Sequence, residues 1–346
     1  MKKIAVVCLI MVVMMGIFVG CSGKNADPAN VKQEPQTQAP ASGNGNSESN
    51  SQSGKADGEM IRVGILQLVE HAALDASYQG FVDGLAEAGY EDGKNIKIDY
   101  QNAQGEQANC NTIASKLVND RNKLILAIAT PAAQAVANAT KDIPILVTAV
   151  TDPADAKLVA SNEAPGGNVT GTSDLTPCAE QIELLTKLVP TAKKIGMLYN
   201  SSEANSKFQV DIAKKAAVEL GLETVDYTVS SSNEIQQVVE SMINKVDAIY
   251  APTDNMIAAG MATVSMVANA NNIPVIVAES GMVNAGGLAT YGLSYYELGK
   301  LTAQQAVKIF EGANPADMPI EYLDKFELHI NEDVAAQLGI TIPEGL

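Results

Sequence analysis

From Arg62 onward, short apolar runs alternate with amphipathic helical stretches, and one such run is echoed later in the chain. Together these observations predict an α/β protein with parallel sheets, helices on both sheet faces and two similarly built lobes. The first strand is expected over 63–66. Leu74, Tyr78, Phe81, Val82 and Leu85 then recur at helical spacing, and Gly89 stands where a helix-ending glycine belongs. A strand over 96–100 and a helix carrying Cys110 and Leu117 follow. The run Leu124-Ile125-Leu126-Ala127-Ile128 is apolar throughout, as expected of a strand covered on both faces. A helix over 131–140, a strand over 143–149, a helix over 154–161 and a strand over 169–172 complete the first half.

The alternation then restarts. Helices are expected over 178–188, 207–220, 235–243 and 256–270, and strands over 194–199, 223–228, 248–250, 273–278 and 288–291. A long helix over 296–310, a last strand over 326–330 and a final helix over 332–338 close the chain. Asp142-Ile143-Pro144-Ile145-Leu146-Val147 and Asn272-Ile273-Pro274-Val275-Ile276-Val277 are the echo that suggests two lobes.

Composition narrows the function. Forty Asp and Glu stand against 23 Lys and Arg, for a net charge of −17. That balance argues against a nucleic-acid partner, which needs a basic surface to neutralise phosphates. The only arginines are Arg62 and Arg121, so no Arg-cluster site can form; with only His71 and His329, neither can a three-His metal site. No metal spacing, nucleophile–base pair or phosphate loop is present, and no cofactor is expected. Gly84-Leu85-Ala86-Glu87-Ala88-Gly89 lacks the strand–glycine–helix setting of a dinucleotide site. A binding protein, or an acidic enzyme independent of His, fits this composition.

Lys2 and Lys3 precede an uncharged apolar stretch that ends Phe18-Val19-Gly20-Cys21. Residues 1–20 thus read as a secretory signal. Small residues before a single cysteine resemble the lipobox of bacterial lipoproteins, which implies acylation of Cys21 and a chain anchored to the outer face of the cell membrane; an uncleaved anchor is the alternative. Residues 21–60 turn polar and Gly/Asn/Ser/Gln-rich, the composition of a tether with an end-to-end reach of roughly 30–40 Å. Cys8 lies in the signal, whereas Cys110 and Cys178 share helical faces with apolar residues and read as core, with a disulfide between them as the other option.

Ligands of open α/β sheets bind beyond the carboxyl ends of the strands. In the first half the loops to search contain His71, then Thr130 with Ala132 and Ala133, then Thr151 and Asp152. In the second half they contain Ser201 and Glu203, then Thr253 and Asp254, then Glu279, with Tyr291 further on. Helix capping alone explains any one of these loops. Six at the same end of two sheets point to a cleft. Helix starts also bind anions through free N–H groups and the helix dipole, which gives Thr130 and the N–H groups of Ala132 and Ala133 a ligand carboxylate to hold. His71 is either a loop residue or a ring lining the cleft. Asp254, with Glu279 as substitute, is the expected partner of a ligand ammonium.

Several segments, taken in order, resemble one family. They are Glu70-His71-Ala72-Ala73-Leu74-Asp75, Tyr100-Gln101-Asn102-Ala103-Gln104-Gly105, Ala129-Thr130-Pro131-Ala132-Ala133-Gln134, Ala149-Val150-Thr151-Asp152-Pro153, Asn168-Val169-Thr170-Gly171-Thr172 and Pro252-Thr253-Asp254-Asn255. The chain from residue 61 on is similar to the substrate-binding lipoproteins of ABC transporters of the tryptophan/tyrosine uptake type. The resemblance implies a type I periplasmic-binding fold, with two doubly wound parallel-sheet lobes, residues 61–172 with 293–318 and residues 173–292 with 319–346, joined by a three-crossover hinge. It further implies a monomer that closes on a small amino acid and delivers it to a membrane permease driven by an ATPase. An aromatic amino acid is favoured, with Tyr78, Phe81, Tyr199, Tyr250 and Tyr291 as candidate ring contacts. A branched-chain or other neutral amino acid is the alternative ligand, and a sensory receptor of the same fold the alternative role.

Overall fold

The structure, a computed structural model, describes residues 60–346. The signal stretch, Cys8, Cys21 and nearly all of the tether lie outside the described residues. In the first lobe the order is β1 (Ile61–Gln67), α1 (Ala72–Glu87), β2 (Ile96–Asn102), α2 (Gln107–Asn119), β3 (Leu124–Ile128), α3 (Thr130–Ala139), β4 (Ile145–Val150) and β5 (Val169–Ser173). Its parallel sheet has the order β2-β1-β3-β4-β5. Strands β3, β4 and β5 are buried along their whole length, because helices cover both faces.

The chain then crosses to the second lobe: α4 (Cys178–Leu188), β6 (Lys194–Asn200), α5 (Ala204–Glu219), β7 (Glu223–Val229), α6 (Ile235–Met242), β8 (Ala248–Ala251), α7 (Asn255–Ala259), α8 (Met261–Ala270), β9 (Val275–Val277), α9 (Ser280–Asn284) and β10 (Ala289–Gly292). It returns for α10 (Tyr295–Phe310), which packs on α1, and crosses a third time to β11 (Glu327–Ile330) and α11 (Glu332–Gln337). The second sheet runs β11-β10-β9-β8-β6-β7, all parallel except the edge strand β11, which pairs antiparallel to β10.

Glycines bring α10 against α1. A Cβ on Gly80 would stand 2.0 Å from the Tyr296 carbonyl oxygen, and one on Gly299 would stand 2.1 Å from that of Ser77. Backbone therefore touches backbone, and α10 belongs firmly to the first lobe although β10 precedes it in the second.

Four local expectations are corrected. Residues 154–161 form turns instead of a helix, because Asp152 Oδ1 accepts from the N–H groups of Ala154 and Asp155 at 2.9 Å and Lys157 adopts φ 61°. The helix expected over 256–270 is two helices that meet at Gly260, where a Cβ would lie 2.4 Å from Ile235 Cδ1. Helix α9 falls in a stretch expected to be loop. The third crossover also lies beyond residue 318: the N–H of Ile320 donates to Asn162 at 2.8 Å and that of Glu321 to Gly171 at 2.9 Å, so residues 319–323 stay with the first lobe. Cys110 and Cys178 are buried free thiols, one in the core of each lobe.

Candidate functional site

All parallel strands end at the interlobe face, so the loops after them converge there. They enclose a cavity of about 640 Å³. The first lobe contributes Leu68 and Val69 after β1, residues 104–107 after β2 and Pro131 at the start of α3. The second contributes Asn200, Ser202 and Glu203 after β6, Ser230 to Asn233 after β7 and Asn255, Met256 and Ala259 on α7. Leu68, Val69, Pro131, Met256 and Ala259 make one part apolar, while among the described residues no Lys or Arg side chain lines it.

Among the described residues, three side-chain hydrogen bonds cross the cleft away from the crossovers. Gln209 Nε2 donates to Thr151 Oγ1 at 3.0 Å, the hydroxyls of Thr151 and Thr253 are 3.4 Å apart, and His71 Nε2 is 3.3 Å from Asn255 Oδ1. The conformation is therefore closed.

Two carboxylates line the cavity, the exposed Glu106 and the buried Glu203, and Glu203 is the one held in a fixed polar setting. Its Oε2 accepts from Asn255 Nδ2 at 2.5 Å and Asn205 Nδ2 at 3.2 Å, and its Oε1 accepts from the Met256 N–H at 3.3 Å. Burial, followed by the nearby Asp254 carboxylate, raises its pKa. Asn205 donates its amide to Glu203 and to the Thr253 carbonyl, so its Oδ1 is an acceptor, and it has no partner. A buried carboxylate beside a free carbonyl oxygen, with no cation at hand, complements an ammonium.

At the start of α3, Ala129 is held at φ 84°, a strained conformation for a non-glycine residue. The turn presents Thr130, whose buried hydroxyl has no partner. Ala133 is not a free donor, because its N–H already closes the helix onto the Ala129 carbonyl at 3.0 Å. The unclaimed first-turn donors are therefore Thr130 and Ala132.

Other expected site residues have different work. Asp254 is fully buried, and both its oxygens are taken: Oδ2 by the Asn200 N–H at 2.6 Å and the Ser206 hydroxyl at 2.7 Å, and Oδ1 by the Ile257 N–H at 2.9 Å. It caps α7, ties that helix to β6 and, unlike Glu203, does not line the main cavity. Glu279 caps α9 through the N–H groups of Gly281 and Met282 at 2.6 and 2.8 Å, and it lines a separate cavity of about 280 Å³ beside α1. Burial pushes its pKa up to about 7. Asp152 closes the first-lobe turn described above. Ser201 is exposed, and Ser202 faces the cavity in its place. Tyr291 packs on the second-lobe core. Phe81, Tyr199 and Tyr250 are core residues, and Tyr78 packs against Tyr100 with centroids 4.5 Å apart and the rings tilted by 45°; none of the proposed rings lines the main cavity.

Sequence reading gave no site role to Asn205, Gln209 or the loop after the edge strand β7, and named Asn255 and the loop after the edge strand β2 only as parts of quoted segments. The carboxyl-end rule applies equally to those two loops and would have found them. It also missed Asp174, which follows β5 at the first crossover. Asp174 is fully buried, accepts from the Tyr295 hydroxyl at 2.7 Å and has its pKa pushed up to about 6 by burial. Among the described residues no group of three or more His, Cys, Asp or Glu side chains is placed to hold a metal, and no helix is long and apolar enough to cross a membrane.

Comparison with known proteins adds four findings. The family model described as ABC transporter substrate binding protein matches residues 62–346. A tyrosine-binding protein of Clostridioides difficile is 44% identical over 98% of this chain and 93% of its own length. Among solved structures, a Streptococcus pneumoniae ABC domain in complex with L-Trp, 44% identical, superposes with a TM-score of 0.81 over 83% of this chain and 97% of that one. A ligand-free, open structure of a Clostridium difficile substrate-binding protein with adhesive properties is 48% identical over the same shares, yet its TM-score is only 0.64. The chain thus matches the ligand complex better than the more identical open structure, in keeping with the bonds across its cleft.

Proposed function

The chain belongs to the ABC transporter substrate-binding protein family, and from that premise we propose that it captures a free aromatic amino acid between its lobes and delivers it to a membrane permease powered by an ATPase. The observation that carries the ligand class is the pairing of Glu203, buried without a cation, with an apolar wall of Leu68, Val69, Pro131 and Met256 in one cavity. The ammonium meets Glu203 and Asn205 in the second lobe. The carboxylate meets the Thr130 hydroxyl and the first-turn N–H groups of α3 in the first lobe. The ring lies on the apolar wall. A ligand held by both lobes favours the closed state by its differential contacts, so capture and closure are one event.

The tyrosine-binding relative and the L-Trp complex support this ligand class. Acylation at Cys21 would hold the protein at the outer membrane surface, with residues 21–60 as the tether. Isothermal titration with L-tyrosine, L-tryptophan and L-leucine tests the proposal. Saturable binding of at least one aromatic amino acid, tighter than that of leucine, is expected. No binding of either aromatic, or tighter leucine binding, would overturn it.

A further inference from the structure

His71 carries an unclaimed acceptor beside the cleft. It is the residue before α1 and stands at the edge of the main cavity without lining it: Val69, two residues earlier, lines the cavity, and Asn255, which His71 faces, lines it from the other lobe. The hydrogen-bond network decides its tautomer. Asn255 donates its Nδ2 to Glu203, so its Oδ1 must be the acceptor, and the Nε2 that faces it must carry the proton. Burial keeps the ring neutral by lowering its pKa. Nδ1 is then a lone pair, buried and without a partner. Gln67, at the end of β1, repeats the pattern: its Nε2 donates to the Val69 carbonyl at 2.8 Å and to Asp75 Oδ1 at 2.7 Å, which leaves a fully buried Oε1 as an unpartnered acceptor. The β1–α1 corner therefore offers acceptors and lacks a donor.

We propose that His71 reads the ligand's side chain by accepting a hydrogen bond from a ring donor, the phenol O–H of tyrosine or the indole N–H of tryptophan, and so selects against phenylalanine. The inference rests on the reading that an aromatic amino acid fills the cleft. Its geometry follows from a relay. Glu203, the ammonium partner, is linked through the Asn255 amide to His71, so one ligand can present its ammonium to the second lobe and its ring donor to the first. A buried acceptor that a ligand leaves empty costs far more than a lost apolar contact, which is why sites built for a hydroxyl reject the analogue without it.

Calorimetry on the full chain with L-tyrosine, L-phenylalanine and 4-fluoro-L-phenylalanine tests this. The expected result is tyrosine binding at least 30-fold tighter than both analogues, with His71→Leu reducing the ratio to threefold or less, chiefly by weakening tyrosine. Phenylalanine within threefold of tyrosine on the unmodified protein would overturn the assignment, and that comparison needs no variant to fold. So would a tyrosine preference that survives in His71→Leu. If no aromatic amino acid binds at all, the ligand reading fails first and this inference falls with it.

Discussion

Glu203→Gln is the substitution that most directly tests the cleft chemistry. The side chain keeps its shape but loses its charge, and every group hydrogen-bonded to its oxygens is a donor: Asn255 and Asn205 at Oε2, the Met256 N–H and Asn200 Nδ2 at Oε1. The new NH2 group must face donors on one side, which adds to the loss of the ammonium partner. Removing one member of a buried charge pair costs about 2–5 kcal/mol, so at about 1.4 kcal/mol per tenfold the ligand dissociation constant should rise about 30-fold or more. The pH profile separates this from a general loss of fit. The ligand needs ionised Glu203, whose pKa burial and Asp254 raise. Binding to the unmodified protein should weaken as pH falls through that raised pKa, by about tenfold per unit below it. The glutamine variant should show no such slope over the same range. Calorimetry at pH 5.5, 6.5 and 7.5, with melting temperatures to show that the variant is folded, measures both. Affinity within threefold of the original, or an unchanged pH slope in the variant, would refute the role.

Four further outcomes are expected. Thr130→Val should weaken binding less than Glu203→Gln, by about 1 kcal/mol, since backbone donors remain; a loss equal to that of Glu203→Gln would contradict the division of labour. Gly299→Ala places a methyl 2.1 Å from the Ser77 carbonyl oxygen and should destabilise the first lobe by about 1–3 kcal/mol, read as a lower midpoint in urea. The ligand-free protein should melt higher at pH 5.5 than at pH 7.5: burial raises Asp174 to about 6 and Glu279 to about 7, so the folded state holds protons that the unfolded chain releases, and stability falls as pH rises through that window; a melting temperature that rises from pH 5.5 to 7.5 would count against it. Cys21→Ala should abolish incorporation of labelled fatty acid, and unchanged labelling would rule out acylation at that residue.

How much of this was legible in the sequence depends on the range of the forces involved. Periodicity is local, so the alternation of strands and helices, the buried central strands and the helix-ending Gly89 at φ 88° could be read directly. The end of the sheets that holds the cleft followed from chain direction alone. The division of labour among the acids could not be read. Asp254 and Glu203 both stand just past a strand in short polar loops, and either can cap a helix or hold an ammonium. Distant segments donate to both, the Asn200 N–H and the Ser206 hydroxyl to Asp254 and Asn255 and Met256 to Glu203, and what decides between them is that Glu203 borders the cavity and Asp254 does not. The antiparallel strand β11, the break at Gly260 and the third crossover beyond residue 318 were likewise settled by packing between segments far apart in the chain. The sequence alone determined the class of fold and the face that holds the cleft. Only the tertiary structure decided which polar atoms remain unpaired at that face, because hydrogen-bond satisfaction depends on every group brought into the cleft.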